Sequence, residues 1–548
     1  MVVLIWIVCM LGMVNCKGNP HYKADLLLYN GVIYTVNYSF EVADAMVIGG
    51  GKIIAVGPVS VLRKKFSATE EINLKGKPVY PGFIDSHCHF YGYGLTLRQA
   101  DLTGSKSPDE IIERLKKHQE EFPSGWVIGR GWDQNDWERK EFPDRKILDQ
   151  AFPDQPVYLT RIDGHAAWVN SMVLSMAAVQ PETSIKGGVI VLDAHGATGI
   201  LLDNAMSLIE KHLPATRLTD QLRALQAAQR NCFEVGLTMV CDAGLDKDIV
   251  TLMDSMQQAG QLQIRICAML NPTRENIDHF MEKGIYQTPK LSIRSVKLFA
   301  DGALGSRGAL LKKPYSDDPE NKGIQVSNTV FLEKMCNIAY NNGYQVNTHC
   351  IGDSAVHLML QLYGRLLKGN NNLRWRIEHA QVVDPGDFSL FAEYGIVPSV
   401  QTTHATSDMY WAGDRLGEKR LINAYAYKTL LDQNGWLANG SDFPVESINP
   451  LFGFYAATAR KDLKGFPSGG FQKSEALSRE EALRAMTIWA ARASFQESGT
   501  GSLEPGKAAD FVILDNDIMK EDDHEIPETK VLQTYVDGVV VYNRQADN

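Results

Sequence analysis

The chain has 548 residues, 44% of them hydrophobic and 22% charged, an ordinary globular composition too long for one small core. A formal net charge of -10, spread over mixed acidic and basic residues, provides no basic stripe and argues against a nucleic-acid partner. Cysteines at 9, 16, 88, 232, 241, 267, 336 and 350 form no CxxC pair, which argues against finger-type structural zinc and leaves one or two disulfides open.

In chain order, residues 2–14 form an uncharged apolar run, too short to span a bilayer and the right length for a signal-peptide core. The run predicts export to the periplasm or cell envelope. It closes on Met13-Val14-Asn15-Cys16, which resembles a bacterial lipoprotein signal in which Cys16 carries the lipid and attaches the chain to a membrane. No Lys or Arg precedes the run, and Asn15 is larger than the residue usual before such a cysteine, so a plain cleaved signal over 1–16 and an uncleaved anchor both stay open.

Residues 24–31 and 45–57 read as short strands punctuated by glycine turns, and 506–514 and 531–538 have the same texture. Both chain ends, 22–79 and 486–545, are therefore expected to pair into one small β-sandwich domain. Between them, apolar runs alternate with helical stretches, the pattern of a parallel sheet with crossover helices. Eight strands can be read: 79–90, 237–243, 263–270, 293–301, 345–350, 375–379, 396–404 and 436–442. The interval from about 91 to 217 far exceeds the connection of roughly 2–6 residues usual in such units, and must be an insertion with its own structure. Within it, 107–121 reads as a helix, and 126–132 and 156–161 as strands. The aromatic cluster Trp126, Trp132, Trp137 fits core packing and substrate contact equally well.

The strongest local signal is Pro81-Gly82-Phe83-Ile84-Asp85-Ser86-His87-Cys88-His89. In a strand, residues i and i+2 share a face, so His87 and His89 can reach one metal, at the strand end that forms the active-site face of a parallel barrel. Four more polar residues end runs that otherwise read as core: Lys297, His349, His379 and Asp442. Each has a structural alternative: Lys297 can pair with Asp301, the histidines can be satisfied core residues, and Asp442 can cap a turn. Convergence of all six at strand ends is harder to explain as packing.

These segments, with Val296 to Arg307, His349 to Asp353, Glu378-His379-Ala380-Gln381, Ser441-Asp442-Phe443-Pro444 and Gly501 to Asp510, resemble the amidohydrolase superfamily. The likeness is to the YtcJ-like amidohydrolase family 3, which includes the N-substituted formamide deformylases, and it covers about residues 24–545. It implies an α/β fold, a distorted TIM (β/α)8 barrel over 80–485, and hydrolysis of a non-peptide carbon–nitrogen bond in a small-molecule amide. It also implies one or two divalent metals, usually zinc, with His87 and His89 on one and His349 and His379 on the other. Lys297 would bridge them as a carbamate made with carbon dioxide, since an ammonium has no lone pair to offer a cation. If Lys297 stays unmodified, a single-metal site is the fallback. Asp442, a further ligand, would take a proton from water and pass it to the leaving nitrogen.

Asp163-Gly164-His165 in the insertion also resembles a family feature over the barrel mouth, with His165 as a substrate or oxyanion contact or as a loop-fixing residue. Arg307, His404 and Trp132 are candidate substrate contacts, and Asp301 candidate support. Cyclic amides and N-acyl amino acids are alternative substrates, a binding protein on a retired scaffold is the rival from another class, and a homodimer is the default assembly.

Overall fold

In the computed structural model, which describes residues 21–368 and 371–545, the apolar runs of the chain's middle pair side by side, in parallel and in sequence order. The expected signal segment and Cys16 lie outside the described residues. The strands are Phe83–Cys88, Leu237–Leu245, Arg265–Leu270, Leu291–Phe299, Gln345–Cys350, Arg376–His379, Val397–Val400 and Ala438–Asn439. Runs such as Arg265–Leu270 and Gln345–Cys350 are buried at every position, as strands covered on both faces must be. The helix Thr329–Asn341, capped by the Asn328 side chain, lays Leu332, Met335, Cys336 and Ala339 against the sheet at helical spacing.

The barrel closes beyond the last ladder. The Asp442 amide donates to the His87 carbonyl at 2.8 Å and the His89 amide to the Phe443 carbonyl at 2.8 Å. Gly440 permits this approach, since a Cβ there would stand 2.5 Å from the His87 nitrogen. The result is a distorted (β/α)8 barrel, as expected.

Three boundaries differ from the sequence reading. The run 79–90 is two strands: Pro78–Pro81 belongs to the sheet of the chain ends, and Phe83–Cys88 to the barrel. The chain changes sheets at Gly82, whose amide donates to Asp510 O and whose missing side chain makes room for Thr238. The run 396–404 stops at Val400, and Thr402–Asp408 is a helix, whose Thr402 amide and hydroxyl both donate to the Asn439 side chain. His404 therefore stands on a helix above the strand. The last strand shortens to Ala438–Asn439 and leaves Asp442 in the loop that follows.

Both chain ends meet in one hydrogen-bonded sheet of eight strands, in which Phe511–Leu514 pairs with Pro78–Pro81, and Pro78–Pro81 with Tyr22–Tyr34. The long interval after the first barrel strand carries a six-stranded sheet and the helix Pro108–Glu121, with Ser107 as its N-cap. Val127–Trp132 and Val157–Arg161 are neighbouring strands in that sheet. The six described cysteines are all buried and free, so neither disulfide left open by the sequence forms among them. No helix among the described residues is long and apolar enough to cross a membrane.

Trp132 belongs to the insertion's core. It is fully buried, its ring lies 6.1 Å from Trp137 and 6.0 Å from Trp168, and its indole N–H donates to Leu159 O at 3.0 Å. A substrate cannot touch it, which corrects the expectation of a pocket contact. Trp132→Phe is expected to cost about 1–3 kcal/mol of stability, as core substitutions commonly do, and to leave KM unchanged. A raised KM with an unaltered melting temperature would return the indole to the pocket.

Candidate metal centre

Residues from five different barrel strands and strand ends converge at the C-terminal face. Asp442 Oδ1 lies 3.2 Å from His89 Nε2 and 3.6 Å from His87 Nε2. These three groups form a cluster able to hold a metal ion. Lys297 Nζ is 3.1 Å from His87 Nε2. The His379 ring stands 5.0 Å from that of His87 and 4.5 Å from that of His349. All six sequence candidates for the metal site thus come together in one place.

The proton on each ring is fixed by what its other side touches. His87 Nδ1–H donates to the Glu378 carboxylate and His89 Nδ1–H to the Ala243 carbonyl at 3.1 Å, so both Nε2 lone pairs face inward. His379 Nδ1–H donates to Gln401 Oε1 at 2.7 Å, freeing its Nε2; His349 Nε2–H donates to the Gly302 carbonyl at 3.3 Å, freeing its Nδ1. Burial pushes the His87 imidazole down to about 4, with the Lys297 charge acting in the same direction. Burial likewise holds His349 and His379 well below the ordinary imidazole range. All three are neutral near pH 7 and offer lone pairs.

Asp442 is the opposite case. Burial works against its charge, but the carboxyl is held well below its ordinary value by the surrounding His89, His87 and His379 rings, which attract it as they take up protons at low pH. Its Oδ1 is nevertheless buried without a hydrogen-bond donor. The close His89 contact does not satisfy it, because His89 already spends its proton on Ala243. A carboxylate oxygen facing two imidazole lone pairs is repulsive unless a cation stands among them. The donor set, neutral imidazoles and a carboxylate, suits zinc and similar divalent ions. Lys297 fits too: burial first, and Arg376 in addition, bring its amine down to about 8, so a neutral fraction exists near pH 7.

The supporting shell is more extensive than the sequence revealed. Arg376 grips Glu378 through Nε at 2.6 Å and Nη2 at 2.7 Å, and Ser399 Oγ donates to the same carboxylate at 2.8 Å. This fixes the acceptor that orients His87. Asp85 accepts the His87 amide at 3.0 Å and the Ser441 amide and hydroxyl at 3.1 and 2.6 Å, tying the first strand to the Asp442 loop. Burial raises Asp85 to about 7. His379 and Asp442 both adopt left-handed backbone, at φ 71° and 62°, a strain such as functional positions often hold. Glu378→Gln is expected to weaken metal binding by about 10–100-fold, measured by competition with a chelator. Unchanged affinity would mean that Glu378 serves only to neutralise Arg376.

Above the candidate metal site opens a cleft of about 1160 Å³ between barrel and insertion. His165 lines it, its ring 4.8 Å from His349. Asp203, which carried no sequence signal, accepts from His165 Nδ1 at 2.7 Å. Burial opposes protonation of His165, yet the Asp203 hydrogen bond and charge prevail and raise its pKa. His404 also lines the cleft, with Nε2 4.0 Å from Asp442 Oδ2. Asp301 supports from behind, accepting the amides of Leu310, Ile351 and Gly352. Arg307 does not face the cleft. Its Nη2 is bound to Asp317 at 2.9 Å, the structural ion pair rather than the substrate contact.

The amidohydrolase family matches residues 70–542. Protein LONG AFTER FAR-RED 3 of Arabidopsis thaliana is 36% identical over 95% of this chain and 92% of its own length. Putative amidohydrolase YtcJ of Bacillus subtilis is 34% identical over 94% and 99%. The N-substituted formamide deformylase of Arthrobacter pascens is 27% identical over 95% and 98%. An uncharacterized metal-dependent hydrolase from Pyrococcus horikoshii superposes with a TM-score of 0.75 at 32% identity, over 91% of this chain and 99% of that one.

Proposed function

Because the chain belongs to the amidohydrolase family, we propose that it uses a divalent metal, zinc by its donor set, to hydrolyse a carbon–nitrogen bond in a small non-peptide amide or formamide. The observation that carries this reading is the buried, donor-free Asp442 Oδ1 facing the inward lone pairs of His87 and His89. His87 and His89 would hold one ion, and His349 through Nδ1 and His379 through Nε2 a second. A bound ion supplies a Lewis acid that makes water acidic near neutral pH and polarises a carbonyl.

The residues of the chain do the rest. Neutral Lys297 attacks carbon dioxide, forming a nitrogen–carbon bond and losing a proton, and the resulting carbamate offers an oxygen to each side of the site. The Asp442 carboxylate accepts a proton from water and then donates it to the amide nitrogen, which leaves poorly unless protonated. His165, held at Nδ1 by Asp203, would offer Nε2 as a second proton donor to the substrate carbonyl oxygen. Retention of all six metal-site residues weighs against a retired scaffold. The kinship with an N-substituted formamide deformylase supports formamides as first substrates. Export, with lipid on Cys16 or plain cleavage, is part of the same proposal and rests on the apolar run 2–14.

The test is a screen of zinc-loaded protein against N-substituted formamides, N-acyl amines and cyclic amides, reading release of free amine. Turnover of any of these that disappears in Asp442→Asn would support the reading. Turnover of esters but of no carbon–nitrogen bond would contradict it.

A further inference from the structure

The cleft holds a cation that neither the metal site nor the fold consumes. Arg130, on the insertion strand Val127–Trp132, lines the cleft beneath the loop that carries His165. One of its nitrogens, Nη2, donates to the Ile162 carbonyl at 2.9 Å. Its Nε is buried with no partner, and among the described residues no carboxylate pairs with its guanidinium. Its Nη1 lies beside the turn at Gly164, 3.8 Å from where a Cβ there would stand.

Several of the other charges around the cleft are engaged. Arg161 is saturated by Asp133, Asp163 and Gln134. Asp408 accepts from Gln381 at 2.6 Å and Tyr425 at 2.9 Å, and Glu446 from Ser407 at 2.6 Å. A half-buried guanidinium without an ion-pair partner is open to a ligand's counter-charge, and its planar fork matches a carboxylate through two parallel hydrogen bonds. Burial indeed lowers the Arg130 pKa, against the pull of Asp163 and Asp442.

We infer that Arg130 is a specificity residue that binds a carboxylate on the substrate, so that the amide cleaved at the metal centre belongs to a carboxylate-bearing molecule. The inference rests on the hydrolase reading for the bond broken, but not for the anion bound. The carboxylate can stand on the amine side of the amide, as in an N-acylated amino acid, or on the acyl side, as in the half-amide of a dicarboxylic acid.

Calorimetry separates these in the Asp442→Asn background, where bound amides persist. N-formylglycine and N-benzoylglycine probe the amine side and succinamic acid the acyl side, each against its neutral carboxamide counterpart. At least one acid is expected to bind about tenfold to a hundredfold more tightly than its counterpart, the worth of a charge-assisted bidentate pair. Adding Arg130→Gln should abolish that preference, and Arg130→Lys, which keeps the charge without the fork, should reduce it. Should the Gln variant fail to fold, the Lys variant and the acid-to-neutral ratio in the Arg130 protein still decide. Equal binding of acids and neutral counterparts, no binding by any acid, or a preference that survives Arg130→Gln because the carboxylate sits on metal instead would each overturn the inference. Hydrolysis of a neutral formamide by the parent protein reports separately on the reaction itself.

Discussion

Asp442→Asn is expected to lower kcat by about 10²–10⁴-fold, the usual worth of a positioned acid–base group, while leaving the bound metal near the parent's level. The amide keeps the carboxylate's shape and one acceptor oxygen in the same left-handed loop, which the Asp442 and Phe443 backbones pin to His87 and His89. It cannot take a proton. In the parent the group is available because its carboxyl, held well below its ordinary value despite burial, is ionised near neutral pH. Measured metal content and single-turnover rates separate the two roles. Metal lost together with activity would make Asp442 chiefly a ligand.

Lys297→Ala should act on metal content first. Lys297 is buried, and its Nζ is 3.1 Å from His87 Nε2, among the histidines proposed to hold the metal. On the proposed mechanism, removing it takes away the bridging group and opens a cavity among lone pairs with nothing to hold them. Bound zinc is expected to fall by about half or more and kcat/KM by roughly 10³-fold, the loss of several kcal/mol of charge stabilisation. In the parent, growth with bicarbonate should raise both quantities, whereas the variant should not respond. A variant with full metal and full activity would remove the lysine from the site.

Much of this was legible because strand chemistry is local. An apolar run ending in a polar residue announces both a barrel strand and the face it serves: His87, Lys297, His349 and His379 lie in the last residues of their strands, and Asp442 in the loop just beyond its own. Alternation within Phe83–Cys88 also put Asp85 on the face of His87, a signal present but unused. Glu378 was hidden by its neighbour: only the buried Arg376 two residues earlier marks it as half of an ion pair. Asp203 was illegible, because it meets His165 across 38 residues of insertion. Arg307 and Trp132 were misplaced for a common reason. A cation and an indole fit structural and substrate roles equally well until their partners, Asp317 for one and Trp168 for the other, are seen.

The most direct test is removal and return of the metal. Protein lacking residues 1–16 would be purified, its metal counted by elemental analysis, stripped with a chelator, and assayed for amide hydrolysis before and after zinc is restored. Between one and two equivalents at the start, loss of activity on stripping and its return with zinc are the results predicted. A protein that never binds metal, or hydrolyses amides equally well without it, would contradict the metal-dependent site and bring forward a binding role for the cleft.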